Sequence, residues 1–194
     1  GLSTLIAEEL NMELEDITFE MAPSNPAVYN NLFFGPFQGT GGSTAIANSF
    51  MQYRTAGAAA RDVLLQAAAV EWGVDATALT LKDGTITGAG KEGKIGDFVA
   101  AAAQLEVPAE PKLKDPEEWT QIGNPQKARR DSHDKINGEG IFSMDVQLEN
   151  QMVVAIKRIP QFGATVVSFD DSAAKDMKGF IMAQALPNGA GVAV

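Results

Sequence analysis

The chain has 194 residues, of which 45% are hydrophobic and 21% charged, the balance of a globular protein with enough length to bury a core. Twenty-five acidic against fifteen basic residues give a formal charge of −10, a field that repels phosphate backbones and argues against nucleic acid as a partner. With no cysteine and one histidine, disulfides, thiolate zinc sites, iron–sulfur ligation by this chain, a cysteine nucleophile and a histidine-rich metal site are excluded. No apolar run approaches the roughly 18 to 20 residues of a membrane helix.

Residues 2–11 place Leu2, Leu5, Ile6 and Leu10 near helical spacing, with Ser3 or Thr4 available as a cap, and predict a short amphipathic helix. The segment Asp16-Ile17-Thr18-Phe19-Glu20-Met21 alternates polar and apolar residues like a half-buried strand, and Pro23 and Pro26 end it. Residues 22–42 are rich in Asn, Pro, Gly and Phe and form a connection long for a compact domain, the kind that is usually functional or disordered. Residues 43–72 carry a run of helix formers broken only by Gly57, so the longest helix is expected there, stopped at Gly73. Its small residues should let a neighbouring element pack close.

Leu79-Thr80-Leu81-Lys82, Asp83-Gly84 and Thr85-Ile86-Thr87 spell a hairpin whose Asp-Gly supplies the positive φ angles of a tight turn. Residues 95–105, with Asp97 as a cap and Phe98, Val99, Ala102 and Leu105 apolar, read as another helix. Prolines 108, 111 and 116 and many charges mark an aperiodic linker. Beyond it, residues 140–146, 152–159, 164–169 and 180–185 read as strands and residues 172–176 as a short helix. The fold class is therefore α+β, with a first domain over residues 1–106, a linker over 107–120 and a second domain over 121–194. The chain opens on Gly1 and closes on Gly191-Val192-Ala193-Val194, which resembles a strand cut partway. A piece of a longer protein is expected.

The most suggestive local chemistry is Gly39-Thr40-Gly41-Gly42-Ser43-Thr44, where the long loop meets the long helix. Glycines let backbone N–H groups approach an anion, and the helix start adds unsatisfied donors and a positive dipole. The chemistry suits phosphate or pyrophosphate, although no lysine follows as in a Walker loop and the third glycine of a dinucleotide fingerprint is missing. A capped helix start with no ligand fits the same residues. Gly1-Leu2-Ser3-Thr4 is a second loop-to-helix candidate, with a frayed, capped terminus as the alternative. His133, among Arg129, Arg130, Asp131 and Asp134, reads as a surface residue. The acidic group Glu8, Glu9, Glu13, Glu15 and Asp16 lacks calcium-loop spacing and reads as a solvated face rather than a cation site. Phe33, Phe34 and Phe37 read as anchors of the loop before substrate contacts, and Trp72 and Trp119 as packing residues. One histidine permits no Ser-His-Asp set, so no catalytic residue and no metal ligand is assigned.

The order of these motifs is more specific than any one of them. Gly1-Leu2-Ser3-Thr4, Ile6-Ala7-Glu8-Glu9-Leu10, Ile17-Thr18-Phe19-Glu20, Thr40-Gly41-Gly42-Ser43-Thr44 and Arg54-Thr55-Ala56-Gly57-Ala58-Ala59-Ala60-Arg61 together resemble the molybdenum hydroxylases. The likeness is to the molybdopterin-binding large (beta) subunit of the isoquinoline 1-oxidoreductase branch of the xanthine dehydrogenase and aldehyde oxidase family. Ile122-Gly123-Asn124-Pro125, Lys135-Ile136-Asn137-Gly138, Phe142-Ser143-Met144-Asp145-Val146, Ser168-Phe169-Asp170 and residues 173–180 look like that family's α/β hammerhead domain.

The resemblance implies part of a molybdopterin-binding domain followed by a hammerhead-like domain. It assigns Thr40, Gly41, Gly42, Ser43 and Thr44 to a pyranopterin cofactor, molybdopterin cytosine dinucleotide with molybdenum. Gly1 would be the last glycine of a Gly-Gln-Gly cofactor motif whose glutamine precedes this chain, and the family's catalytic glutamate belongs to a later segment. The implied reaction is hydroxylation of an N-heteroaromatic ring or an aldehyde with oxygen from water. Implied partners are the remainder of the large subunit and a small subunit holding iron–sulfur clusters, and these residues alone would be inactive. The alternative is a non-catalytic module that binds a phosphate ligand or another protein through the glycine-rich loop. Neither reading fixes the compartment.

Overall fold

The computed structural model describes residues 1–187 and 189–193, the last four by backbone alone. The first helix, α1 (Leu2–Glu9), buries Leu5 and Ala7 and starts at Gly1 with no side chain capping it, although Ser3 and Thr4 stand in its first turn. A 3-10 turn at Leu14–Asp16 follows, and residues 17–21, which the alternation predicts as a strand, belong to neither sheet of the structure. Phe19 and Met21 are exposed there, so alternation alone found no sheet to pack on. The long loop contains α2 (Pro26–Tyr29) and a 3-10 turn at Leu32–Phe34.

The long helix α3 (Thr44–Trp72) runs 29 residues, about 43 Å at 1.5 Å per residue. It ends at Gly73, whose φ of 69° closes the last turn. At Gly57 an added Cβ would sit 3.0 Å from Glu9 Cβ and 3.1 Å from Ile6 Cα. Glycine is therefore what lets the backbone of α1 touch α3. Gly1 lies beside Ile46 at the start of α3, and Ile6 and Glu9 lie beside Gly57 farther along. The two helices run parallel.

The C-terminal half of α3 covers an antiparallel sheet, β1 (Thr80–Lys82), β2 (Thr85–Gly88) and β3 (Lys91–Lys94), in the order β1-β2-β3. Pairing of Lys82 with Thr85 leaves Asp83 (φ 48°) and Gly84 (φ 69°) as the two-residue turn that Asp-Gly predicts. β3 was not legible, because Lys-Glu-Gly-Lys offers no apolar alternation. α4 (Ile95–Ala102) completes the layer. Leu64, Ala67, Ala68, Leu79, Leu81, Ile86 and Phe98 form the core, with Trp72 edge-on to Phe98 at 5.3 Å between ring centroids. Lys94, not Asp97, occupies the cap position of α4; Asp97 lies in the first turn, where its carboxylate reaches back to accept from Lys94 N.

The stretch expected to be a linker is tied down instead. The first compact unit runs over Gly1–Arg129, past the expected boundary at residue 106, and the second over Arg130–Val194. The reason lies in two residues assigned to a solvated face: Glu8 and Glu9 are completely buried. The Glu8 carboxylate accepts from Thr120 N (3.0 Å), Gln121 N (2.6 Å), Ile122 N (2.9 Å) and Lys114 Nζ (2.5 Å). Glu9 accepts from Arg54 Nε (2.8 Å), Arg61 Nη1 (3.3 Å) and Lys114 N (3.0 Å). Arg54 also donates to Lys114 O at 2.6 Å and lies 5.1 Å from the centre of the Trp119 ring, while Arg61 donates to Lys112 O. Trp119 in turn meets Phe50 edge-on. Partly exposed Glu13 pairs with Lys127.

The second unit contains α5 (Ser132–Asn137), β4 (Val154–Arg158), α6 (Ser172–Lys175), β5 (Met182–Leu186) and β6 (Gly189–Ala193). Its antiparallel sheet has the order β4-β6-β5. Residues 140–146 form a 3-10 turn at Ser143–Asp145 rather than a strand, because the Asp145 carboxylate accepts from Phe142 N and Asp145 N donates back to Phe142 O. Residues 164–169 also lie outside the sheet. Of the terminal residues 191–194, the first three lie in β6, and Val194 is outside the described residues.

Burial pushes the Glu8 carboxyl up, but Lys114 and the amides of Ile122, Gln121 and Thr120 outweigh it and hold the group below its ordinary value. The folded state therefore favours the charged form. This stabilisation is complete above the unfolded glutamate value of about 4.3 and is lost as pH falls through the lower folded value. Urea unfolding of Glu8→Gln at neutral pH should show a loss of about 3–5 kcal/mol, as expected when one partner of a buried charge network is removed. Below pH 4 the difference from wild type should shrink.

Candidate functional site

The loop before α3 folds on its own amide side chains. Gln38 Oε1 accepts from Asn25 N and Gln38 Nε2 donates to Pro23 O. Asn48 Oδ1 accepts from Leu32 N. Asn31, 5% exposed, is the hub of the network. Its Nδ2 donates to Thr44 Oγ1 (2.8 Å) and Gly39 O (3.3 Å), its Oδ1 accepts from Phe33 N (3.1 Å), and its backbone N–H donates to Phe37 O (2.9 Å). No sequence motif marked it, since an asparagine in a loop of Asn, Pro and Gly reads as an ordinary turn residue.

Gly42 (φ 56°) and Ser43 (φ 58°) are both left-handed, a conformation that turns successive backbone N–H groups to one side. Ser43 occupies the N-cap position of α3 without a side-chain cap bond. Thr44 instead turns its hydroxyl back to donate to Gly41 O at 2.8 Å, and its N–H donates to the same oxygen at 3.0 Å. The first turn of α3 is therefore not closed by a hydroxyl cap, the alternative reading of this motif. Thr40, Gly42 and Ser43 are exposed, and Gly41 and Thr44 are partly so.

Gly1 joins this group through Ile46: a Cβ on Gly1 would stand 3.3 Å from Ile46 Cδ1. Because α1 and α3 are parallel, their positive ends lie on the same side of the unit as the glycine-rich segment. Phe34 lies over that segment. A Cβ on Gly39 would be 3.2 Å from its Cδ2 and Cε2, and one on Gly41 3.6 Å from its Cζ. Phe34 is thus a loop anchor, whereas Phe33 and Phe37 are largely exposed. His133 is exposed on α5 in the second unit. Among the described residues no group of three or more His, Cys, Asp or Glu side chains is arranged to hold a metal ion.

A cavity of about 640 Å3 opens elsewhere on the first unit, lined by Asn11, Arg61, Lys82, Asp83, Lys114 and Gln121 among others. Its lining includes no residue of 39–46. Arg61 and Lys114 are already engaged by Glu9 and Glu8. Among the described residues no helix is long and apolar enough to cross a membrane.

Gly39→Val should unseat the Phe34 ring, because the added carbon meets it at 3.2 Å and the exposed ring is the part that can yield. The expected result is a shift of the Phe34 ring proton resonances with a stability change within about 1 kcal/mol. An unmoved ring would contradict the packing described.

No protein-family model matches the chain. It is 28% identical over 187 residues to the membrane-bound aldehyde dehydrogenase [pyrroloquinoline-quinone] of Gluconacetobacter polyoxogenes, covering 93% of this chain and 23% of that protein. It is 26% identical over 227 residues to isoquinoline 1-oxidoreductase subunit beta of Brevundimonas diminuta, covering 99% of this chain and 29% of that protein. The chain thus spans less than a third of either relative. The motif order and the second relative name the same protein type, and both relatives are oxidoreductases by name.

Proposed function

We propose that this chain, related along nearly its whole length to isoquinoline 1-oxidoreductase subunit beta, is part of the large subunit of a molybdenum hydroxylase acting on N-heteroaromatic or aldehyde substrates. Its contribution is one wall of the pyranopterin dinucleotide site, with a hammerhead-like domain in the second half. The observation that carries this reading is the alignment over 99% of the chain, joined to a glycine-rich helix start at the shared positive end of two parallel helices.

The residues at that end suit a diphosphate. Gly39, Gly41 and Gly42 present no Cβ, the left-handed pair Gly42 and Ser43 gathers backbone N–H groups, and the first turn of α3 adds its own. Thr40, Gly41, Gly42 and Ser43 would hold the diphosphate, with Gly1 beside them at the start of α1, while Thr44, whose N–H and hydroxyl both donate to Gly41 O, fixes the loop from behind. When bound, the molybdenum centre would supply hydroxylation of an electron-poor carbon with oxygen from water, its electrons leaving to iron–sulfur clusters of a separate small subunit. The chain's own task is to bind and orient. Lacking any assigned catalytic group and spanning under a third of its relatives, these 194 residues are expected to be inactive alone.

The aldehyde dehydrogenase is named for a different cofactor, pyrroloquinoline quinone. We favour the dinucleotide because backbone donors at a helix start match a diphosphate. Titration with cytidine 5′-diphosphate, followed by amide NMR, should shift Gly41, Gly42, Ser43 and Ala45. Shifts with pyrroloquinoline quinone and none with the nucleotide would reverse the cofactor assignment. In a dye-reduction assay with isoquinoline or an aldehyde, the isolated 194 residues should give no turnover, and measurable turnover would overturn the reading of a partial site.

A further inference from the structure

We propose that Asn31 is a positioning residue that aims the amides of Thr40 and Gly42 at the bound diphosphate, an inference that rests on the diphosphate reading of residues 40–44. Asn31 has two amide protons and one carbonyl oxygen in its side chain, and all are committed to this loop. One side of the group reaches Gly39 O and Thr44 Oγ1, and the other receives Phe33 N. Through Thr44 the reach extends one step further, because the Thr44 hydroxyl that accepts from Asn31 donates to Gly41 O. The carbonyls of Gly39 and Gly41 are thereby both drawn inward, toward a side chain that is 5% exposed.

The consequence follows from peptide geometry. Among the described residues no peptide bond is cis, and in a planar trans peptide the C=O and the following N–H point in opposite directions. Turning the Gly39 and Gly41 carbonyls inward turns the N–H groups of Thr40 and Gly42 outward, on the exposed side of the loop. Two donors two residues apart on an open surface match two oxygens of a diphosphate. Because the orientation is set before ligand arrives, no loop ordering is left for binding to overcome. Asn31 never touches the ligand, and it acts through Gly39, Thr44 and Gly41.

The test uses the chain itself with cytidine 5′-diphosphate as probe, comparing wild type, Asn31→Ala, Thr44→Val, Thr44→Ser and Asn30→Ala. Asn30, a partly exposed neighbour whose side-chain amide donates to Gly35 O, serves as control. Asn31→Ala should weaken the probe by about tenfold or more and speed hydrogen exchange at the Thr44 and Phe33 amides. Thr44→Val, which cuts the relay but leaves Asn31, should reproduce the loss of affinity and keep the proposal testable if Asn31→Ala does not fold. Thr44→Ser should restore it, and Asn30→Ala should stay within about twofold of wild type. Affinity that survives both Asn31→Ala and Thr44→Val overturns the proposal alone. Wild-type chain that fails to bind the probe overturns the diphosphate reading, and the proposal with it.

Discussion

Two adjacent carboxylates with no access to water organise the first unit. Neighbouring residues on a helix face different ways, so Glu8 and Glu9 hold different parts of the chain. Glu8 collects the amides of Thr120, Gln121 and Ile122, and Glu9 collects the two arginines of α3 and the amide of Lys114. Burying charge is costly unless every lone pair is matched, and here each oxygen has a donor. The result is that α1, α3 and residues 112–122 are one piece. The parallel course of α1 and α3, and with it the convergence of their positive ends, depends on that clasp.

What was legible in the sequence was what short-range chemistry encodes. The alanine-rich run became α3, Gly73 ended it, and Asp83-Gly84 made its two-residue turn. The failures share a cause. Glu8 and Glu9 read as solvated because their partners lie 45 to 114 residues away. One clue was present: Arg54 and Arg61 stand seven apart, on one face of a helix otherwise lined with alanine, where a charge needs a counter-charge. The strand expected at residues 17–21 had the right alternation and no sheet to join.

The glycine-rich segment shows the same division at smaller scale. Its glycines and the helix behind it stood out by composition, whereas the residue that shapes them did not. Asn31 belongs to a class common in turns, and only its burial and full set of partners separate it from Asn25 or Asn30. A chemically plain loop is held by a polar side chain inside it rather than by an apolar anchor alone, and Phe34 packs over the outside.

The clasp of Glu8 also sets a schedule. Its amide partners lie 112 to 114 residues downstream, which at about 5–20 residues per second of synthesis means roughly 6–23 s between the appearance of α1 and that of Ile122. Throughout that interval Glu8 must remain hydrated and α1 cannot take its final seat. Although α1 leaves the ribosome before α3, it is locked only when residues 120–122 arrive.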